Sequence, residues 1–529
     1  MFSFITRGSN KAILLAALVF SLAYNFAFFD NVAARYPAPE NLAFYISLAI
    51  LLFSFISFFL GLVLNKFTFK PILILLFPLA AMASYFMNSY NVIIDTSMIQ
   101  NTLMTDTREV LDLLNLRLMA YLLFLGLLPA YLVLRSKVPC TDAVNEISSR
   151  VKLLAIVLVA IVGNMLLMSE HYTSFIREQK DLRYYMNPLS FIYSSAKYAE
   201  EVVNAADAGP RESIADDAKV SHGSALRKLV ILVVGEATRA DHWALNGYAR
   251  NTNPALAQQD IVNLANVSSC ATSTAFSLPC MFSLSTFEDF NLRDANSQEN
   301  LLDVLQKAGI NVLWRDNNSD SKGVAIAVPF EDYRSPDVNP ECDIECRDIG
   351  MLNGLDDYIA RQDGDIVIVL HQMGNHGPAY YKRYPQAFAN FLPACQSKQI
   401  ESCTRDEIIN AYDNALLYSD YFLAKVIDFL KTYRDEFSTS MLYMADHGES
   451  LGELGLYLHG LPYALAPEAQ THVASFIWVD DLQASERVTL NARAQQRLSH
   501  DNYFHTVLGM LEVDTKIYEP NLDILSTIK

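Results

Sequence analysis

The sequence predicts an α/β chain in two parts: an N-terminal domain of five transmembrane helices, then a large external domain with a mainly parallel sheet flanked by helices. Three observations lead there. Apolar residues make up 52% of the 529 and crowd into the first third, in runs that approach the ~20 residues a bilayer-spanning helix needs. Beyond residue 229, continuous β-branched runs alternate with helical patterns, the order of a parallel sheet with helical crossovers. Each of the four clearest strand runs also ends in a polar cluster.

The apolar runs lie at about 12–29, 43–63, 69–88, 117–134 and 153–169, so residues 1–170 are read as the transmembrane domain. The first run is too long for a cleaved signal peptide, and no small-residue cleavage site follows it. Lys and Arg set the orientation. Arg7 and Lys11 precede the first span, Lys66 and Lys70 separate the second from the third, and Arg135, Lys137, Arg150 and Lys152 separate the fourth from the fifth. The alternate loops hold only Arg35, Arg108 and Arg117. The N-terminus is therefore expected in the cytoplasm, with everything after 170 outside.

Between the third and fourth spans, "NVIIDTSMIQNTLMTDTREVLDLL" is too polar to cross a membrane. Ile94, Met98, Ile99, Leu103 and Leu111 predict an amphipathic helix near 94–112 at the outer membrane face. Asn101, Thr105 and Glu109 recur every four residues and share one face of that helix, either solvated or turned towards a lipid headgroup. Residues 171–204 are rich in aromatics without a clear period, and 205–228 are polar. The stretch 171–228 is read as a juxtamembrane connector and linker, and 229–529 as the folded external domain.

That domain opens with "LVILVVGE", a run expected of a strand buried on both faces. Similar runs follow in "NVLWRDNN", "DIVIVLHQMGNH" and "SMLYMADHGES", with helical patterns in "ENLLDVLQKAG" (299–309) and "DNALLYSDYFLAKVIDFLKTY" (413–433). The formal net charge is -18 and no basic tract occurs, which argues against a nucleic-acid partner. Of seven cysteines, Cys140 falls in an expected cytoplasmic loop, while Cys270, Cys280, Cys342, Cys346, Cys395 and Cys403 fall outside. An even count on the oxidising side fits three disulfides, with 15 connectivities open and local pairs favoured by the spacing. A zinc site at "CDIEC" is the alternative, but it lacks a CxxC or His-rich partner.

The strand ends carry the chemistry. They supply Glu236; Asp316, Asn317 and Asn318; His371 and His376; and Asp446 with His447. Ligands of open α/β sheets bind outside the carboxyl ends of the strands, so these clusters are expected on one rim. Glu236, Asp446 and His447 need one more donor to complete a four-coordinate zinc set, with manganese the oxygen-rich alternative. "SSCATSTAFSLPCMFS" holds Thr272, Ser273, Thr274 and Ser277 between two cysteines, and one of these hydroxyls would fit. A metal lowers the pKa of a bound hydroxyl and activates an otherwise weak nucleophile. The same stretch reads as a helix start, a favourable place for an anion.

"VVGEATRADHWALNGYARNTNP", "SCATSTAFSLPCMFS", "LWRDNNSDSKG", "LHQMGNHGPAY", "INAYDNALLYSD" and "ADHGESLGE" with "YLHG" together resemble the lipid A phosphoethanolamine transferases. That family includes the mobile colistin-resistance enzymes and sits within the alkaline phosphatase superfamily. The resemblance covers essentially the whole chain. It implies an alkaline-phosphatase/sulfatase-like fold in the periplasm and a multi-pass anchor in the bacterial inner membrane. It implies zinc, one tight ion with a second during catalysis, held by Glu236, Thr274, Asp446 and His447. Thr274 would be the nucleophile that carries phosphoethanolamine. His376 and His459 would contact the phosphate, protonate the leaving group or hold the second zinc, and Glu449 would act from beside the metal. Ser319 and Lys322 would contact the headgroup, and Asn101, Thr105 and Glu109 would belong to the substrate-recognition helix. The implied disulfides are Cys270–Cys280, Cys342–Cys346 and Cys395–Cys403.

The resemblance further implies a monomer that takes phosphoethanolamine from phosphatidylethanolamine, among the inner-membrane lipids, to lipid A or a related glycolipid. The expected consequence is resistance to polymyxin and other cationic peptides. Kdo, core heptose and periplasmic glucan are alternative acceptors, and a membrane-anchored zinc phosphodiesterase is the alternative activity. Ala237 and Ala271 stand where many members have Thr and Gly; an Ala in place of a positive-φ Gly would alter the loop geometry slightly.

Overall fold

Contacts divide the chain into two units, Met1–Ile99 with Leu114–Tyr198, and Gln100–Leu113 with Ala199–Lys529. The structure is a computed structural model and describes residues 9–105, 107–136, 143–206, 211–221 and 226–526. Cys140 lies outside the described residues.

The first unit is helical: α1 (Ser9–Ala23), α2 (Phe26–Arg35), α3 (Ala38–Val63) and α4 (Phe69–Tyr90). Among the described residues, Asn41–Val63, Phe69–Tyr90, Leu116–Arg135 and Val144–Leu167 are long and apolar enough to cross a membrane. The pair Asn10–Ala23 and Phe26–Arg35, bent by 52°, makes a fifth span if counted as one. Asn25 explains the bend. Its Nδ2 donates to Phe20 O at 2.9 Å and to Asn187 O at 2.7 Å, while its Oδ1 accepts from Asn187 N at 2.9 Å. A side chain that captures a helix carbonyl interrupts the i→i−4 ladder, and in an apolar surround its remaining valences must be met by protein. Ser47, Asn164 and Tyr172 form a second polar bridge, with Ser47 Oγ 2.8 Å from Asn164 Oδ1 and 2.7 Å from Tyr172 OH.

The expected amphipathic helix is two: α5 (Thr96–Met104) and α6 (Thr107–Leu113). The break falls where Thr105 Oγ1 donates back to Asn101 O at 2.6 Å, a local bond that competes with helix continuation. Residues 100–113 group with the second unit. There the buried Asp112 carboxylate is bonded to Lys382 and lies 3.2 Å from both Arg383 Nη2 and Lys398 Nζ.

The second unit is built on a seven-stranded sheet: β1 (Arg227–Gly235), β2 (Val262–Asn263), β3 (Asn311–Asp316), β4 (Phe330–Asp332), β5 (Ile366–His371), β6 (Phe437–Ala445) and β7 (Ser475–Val479). The spatial order is β2-β7-β6-β1-β5-β3-β4. β6, β1, β5, β3 and β4 pair in parallel, and β7 runs antiparallel between β6 and β2. Leu229–Val234 and Ile366–Leu370 are buried on both faces, which is why these strands read as unbroken apolar runs. Register pairs Val234 with His371 and Met444, and His371 with Asp316, so the polar strand ends share one edge. On one flank Phe282 packs its ring 5.6 Å from Trp314 and 5.1 Å from Tyr503; burying side chains of this size contributes ~1.5–3 kcal/mol each.

Part of the stretch read as linker is held against this unit. Arg211 forms a bidentate pair with Asp303 at 2.7 and 2.8 Å, and Lys219–Val220 pairs antiparallel with Val513–Asp514. Charge and backbone bonds do what apolar bulk would otherwise do. Three disulfides are present among the described residues, Cys270–Cys280, Cys342–Cys346 and Cys395–Cys403.

Candidate active site

Three strand ends and one helix start meet at the edge of the sheet. Glu236 follows β1, Asp446 and His447 follow β6, Asn318 lies just past β3, and Thr274 begins the helix α7 (Thr274–Met281). Of the stapled hydroxyls, Thr272 donates to Leu461 O at 2.6 Å, and the Ser277 hydroxyl is buried without a hydrogen-bond partner. Ser273 is the helix N-cap residue, without a side-chain cap bond. Thr274 is the one that faces the acids. Its Oγ1 donates to Glu236 Oε2 at 3.0 Å and lies 3.2 Å from His447 Nε2.

His447 Nε2 is in turn 3.3 Å from Glu236 Oε1 and 3.4 Å from Asp446 Oδ2. Bonds of ~2.0–2.1 Å in a tetrahedral site imply donor-to-donor edges of ~3.3 Å, so these spacings suit a small divalent ion. The donor set fits as well: Glu236 Oε1 and Asp446 Oδ2 are buried and accept no hydrogen bond. Burial, and then the neighbouring Glu236, push the Asp446 carboxyl up to about 8. Burial also penalises Glu236, but His447, His376 and His459 outweigh it and hold that carboxyl low. Two buried carboxylates this close need a cation to be charged together. Burial and then His459 lower His447 to about 4, and its Nδ1 lies 2.8 Å from Gly448 O. Donation there leaves the Nε2 lone pair facing the cluster.

The surrounding backbone aims these groups. Ala237 sits in the left-handed region at φ 52°, and its N–H donates to Asp446 Oδ1 at 3.1 Å. Ala271 has no positive φ, so the feared loss of freedom there does not arise. Gly448 is also outside that region; it is needed because a Cβ would lie 2.1 Å from Ala469 O. Asn318 Nδ2 donates to Glu236 Oε2 at 2.8 Å and to Gln372 O at 2.9 Å. Beside it, His371 Nδ1 lies 2.8 Å from Asp316 Oδ2.

Of the other expected site residues, His459, His376 and Glu449 lie beside this cluster. The His459 ring is 4.2 Å from that of His447 and 5.6 Å from that of His376. Its Nδ1 is 3.4 Å from Glu449 Oε2. Burial lowers His459, but the Glu449 carboxylate more than offsets this and raises it to about 9. Ser319 and Lys322 are buried, and Lys322 Nζ donates to Ser319 O at 2.6 Å and to Met104 O at 3.1 Å. Asn101 and Thr105 are thus on the segment that Lys322 touches, without a bond to the four-donor cluster itself. The Glu109 side chain lies outside the described residues. In the sequence Asn318 has a signal as part of a strand-end cluster, whereas the orienting role of Ala237 has none.

A strand-end acid cluster with a hydroxyl at a helix start, on this sheet, defines a sulfatase-like group-transfer enzyme, here with an apolar helical N-terminal part. Residues 228–513 match the sulfatase family, and residues 52–203 match phosphoethanolamine transferase EptA/EptB. The chain is similar to phosphatidylethanolamine transferase Mcr-1 of Escherichia coli, 43% identical over 96% of each chain. It is also similar to phosphoethanolamine transferase EptA of Escherichia coli strain K12, 38% identical over 98% of this chain and 96% of that one. Among solved structures, the integral membrane protein lipooligosaccharide phosphoethanolamine transferase A from Neisseria meningitidis matches with a TM-score of 0.94 and 36% identity, over 98% of this chain and 99% of that one. The chain belongs to the phosphoethanolamine transferase family.

Proposed function

We propose that this enzyme moves phosphoethanolamine from phosphatidylethanolamine to a phosphate of lipid A, through a phospho-threonine at Thr274. The observation that carries this reading is the Thr274 hydroxyl, buried at a helix start and within 3.0–3.2 Å of Glu236 and His447. Glu236, Thr274, Asp446 and His447 would hold one zinc ion; a second ion on His376 and His459 is the alternative to a proton-transfer role for His459, since a metal-bound imidazole carries no proton to give. Zinc supplies a lowered hydroxyl pKa and offsets charge on the transferring phosphoryl group.

In the first half-reaction Thr274 Oγ attacks the phosphorus of phosphatidylethanolamine, and its proton leaves along the bond to Glu236 Oε2. The bond from phosphorus to the glycerol oxygen breaks. His459, charged beside Glu449 with a pKa of about 9, gives that oxygen its proton, and diacylglycerol departs. In the second half-reaction a protonated phosphate oxygen of lipid A attacks the phospho-threonine and gives its proton to His459; the bond from phosphorus to Thr274 Oγ breaks, and that oxygen takes its proton back from Glu236 Oε2. His376 contacts the phosphoryl oxygens. Ser319 and Lys322, with Asn101, Thr105 and Glu109 from the 94–112 segment, bind the headgroup.

The match to a relative named for lipooligosaccharide supports a lipooligosaccharide-type acceptor over a periplasmic glucan. The apolar helices, the Lys and Arg distribution and the three disulfides support an inner-membrane protein with a cytoplasmic N-terminus and a periplasmic catalytic domain. The modified surface would be less negative and would resist polymyxin. Mass spectrometry of lipid A from cells with and without the protein tests the acceptor: added phosphoethanolamine is expected, and unmodified lipid A in expressing cells overturns it.

A further inference from the structure

His500 lies far from the acid cluster in sequence, and the proposed chemistry does not use it. It is 1% exposed. Its Nδ1 lies 3.2 Å from the Cys270 N–H, at the start of the stapled loop. Its Nε2 lies 2.9 Å from Ala445 O, the last residue of β6 and the one before Asp446. Its own N–H donates to Ser268 O at 3.1 Å. One imidazole thus spans the gap between the loop that ends in Thr274 and the strand that ends in Asp446 and His447. Only the tautomer with a proton on Nε2 and a bare Nδ1 makes both bonds, since Cys270 N–H needs an acceptor and Ala445 O a donor.

The loop is also fixed by the Cys270–Cys280 disulfide and by Gly460 N, which donates to Thr272 O at 2.8 Å. Neither of those ties reaches β6. The imidazole is the side-chain bridge from the start of this loop to that strand.

We propose that His500 is a positioning residue, which holds the Thr274 loop in register with the Asp446–His447 strand end. This rests on the reading of Thr274 as nucleophile. A shift of ~1 Å in a reacting group costs on the order of a hundredfold in rate, and the edges of 3.0–3.4 Å around Thr274 and His447 leave little slack.

The test compares His500→Phe, His500→Asn and His500→Gln in the purified full-length protein. Turnover is followed as diacylglycerol release from phosphatidylethanolamine, together with bound zinc and the melting temperature. Asn keeps an acceptor where Nδ1 stands, Gln keeps a donor where Nε2 stands, and Phe keeps neither. His500→Phe should lower kcat about ten- to hundredfold, with KM and zinc content unchanged. His500→Asn should recover most of kcat, because the bond to Cys270 is the one nearest Thr274. A kcat that is normal in a folded His500→Phe protein overturns the proposal. So does a His500→Asn protein no better than His500→Gln, which also decides the matter if the Phe variant fails to fold. Thr274→Ala in the same assay separates the two ideas: activity surviving in Thr274→Ala removes the nucleophile reading, whereas a dead Thr274→Ala beside active His500 variants removes only the bridge.

Discussion

Replacing Asn318 with Ala should weaken metal binding without touching any proposed ligand. Asn318 is fully buried, and its one amide nitrogen donates to Glu236 Oε2 at 2.8 Å and to Gln372 O at 2.9 Å. The first of these bonds goes to a carboxylate, and hydrogen bonds to charged groups contribute ~1.5–3 kcal/mol. At ~1.4 kcal/mol per tenfold change in affinity, its loss predicts a zinc affinity lower by roughly 10- to 100-fold. The residual site still has all four proposed donors, so binding should weaken and not vanish. A chelator-competition titration of the purified full-length protein measures this. Asn318→Asp should be worse than Asn318→Ala, since it sets a second carboxylate against Glu236 Oε2. A folded Asn318→Ala protein with unchanged zinc affinity would refute the idea that this amide orients the ligand.

Two further predictions concern the same rim. In metal-free protein, the His459 pKa of about 9 exceeds its ordinary 6.5, so its stabilising pair with Glu449 is complete below about pH 6.5 and is lost as pH rises through about 9. Thermal melts across that window should show the decline, and Glu449→Gln should flatten it. Gly448→Ala should destabilise the fold by about 3 kcal/mol, because its Cβ would meet Ala469 O at 2.1 Å, a backbone atom and not the end of a flexible side chain; urea melts measure the loss.

Much of the catalytic unit is legible in the chain. β1 and β5 carry long apolar runs and β3 and β6 shorter ones because both sheet faces are covered, and their polar ends mark the rim on which Glu236, Asp446 and His447 meet. What escaped depends on pairings distant in sequence or on backbone conformation. The long helix Arg405–Lys431 starts eight residues before the apolar pattern announces it, at a capping box between Thr404 and Glu407 that the sequence does display. The bend at Asn25 needs Asn187, 162 residues away, to hold it. The amphipathic segment breaks because Thr105 bonds its own helix, which the four-residue spacing of Asn101, Thr105 and Glu109 does not reveal. The left-handed φ of Ala237 has no sequence signature, since an Ala there looks ordinary.

The central claim is that Thr274 carries the phosphoethanolamine group. Full-length enzyme given phosphatidylethanolamine without an acceptor, quenched in acid and digested, should yield the peptide containing Thr274 with one phosphoethanolamine attached by mass spectrometry, and addition of lipid A before the quench should discharge it. An unmodified Thr274 peptide from enzyme that is releasing diacylglycerol, or the group found on another residue, would contradict the account.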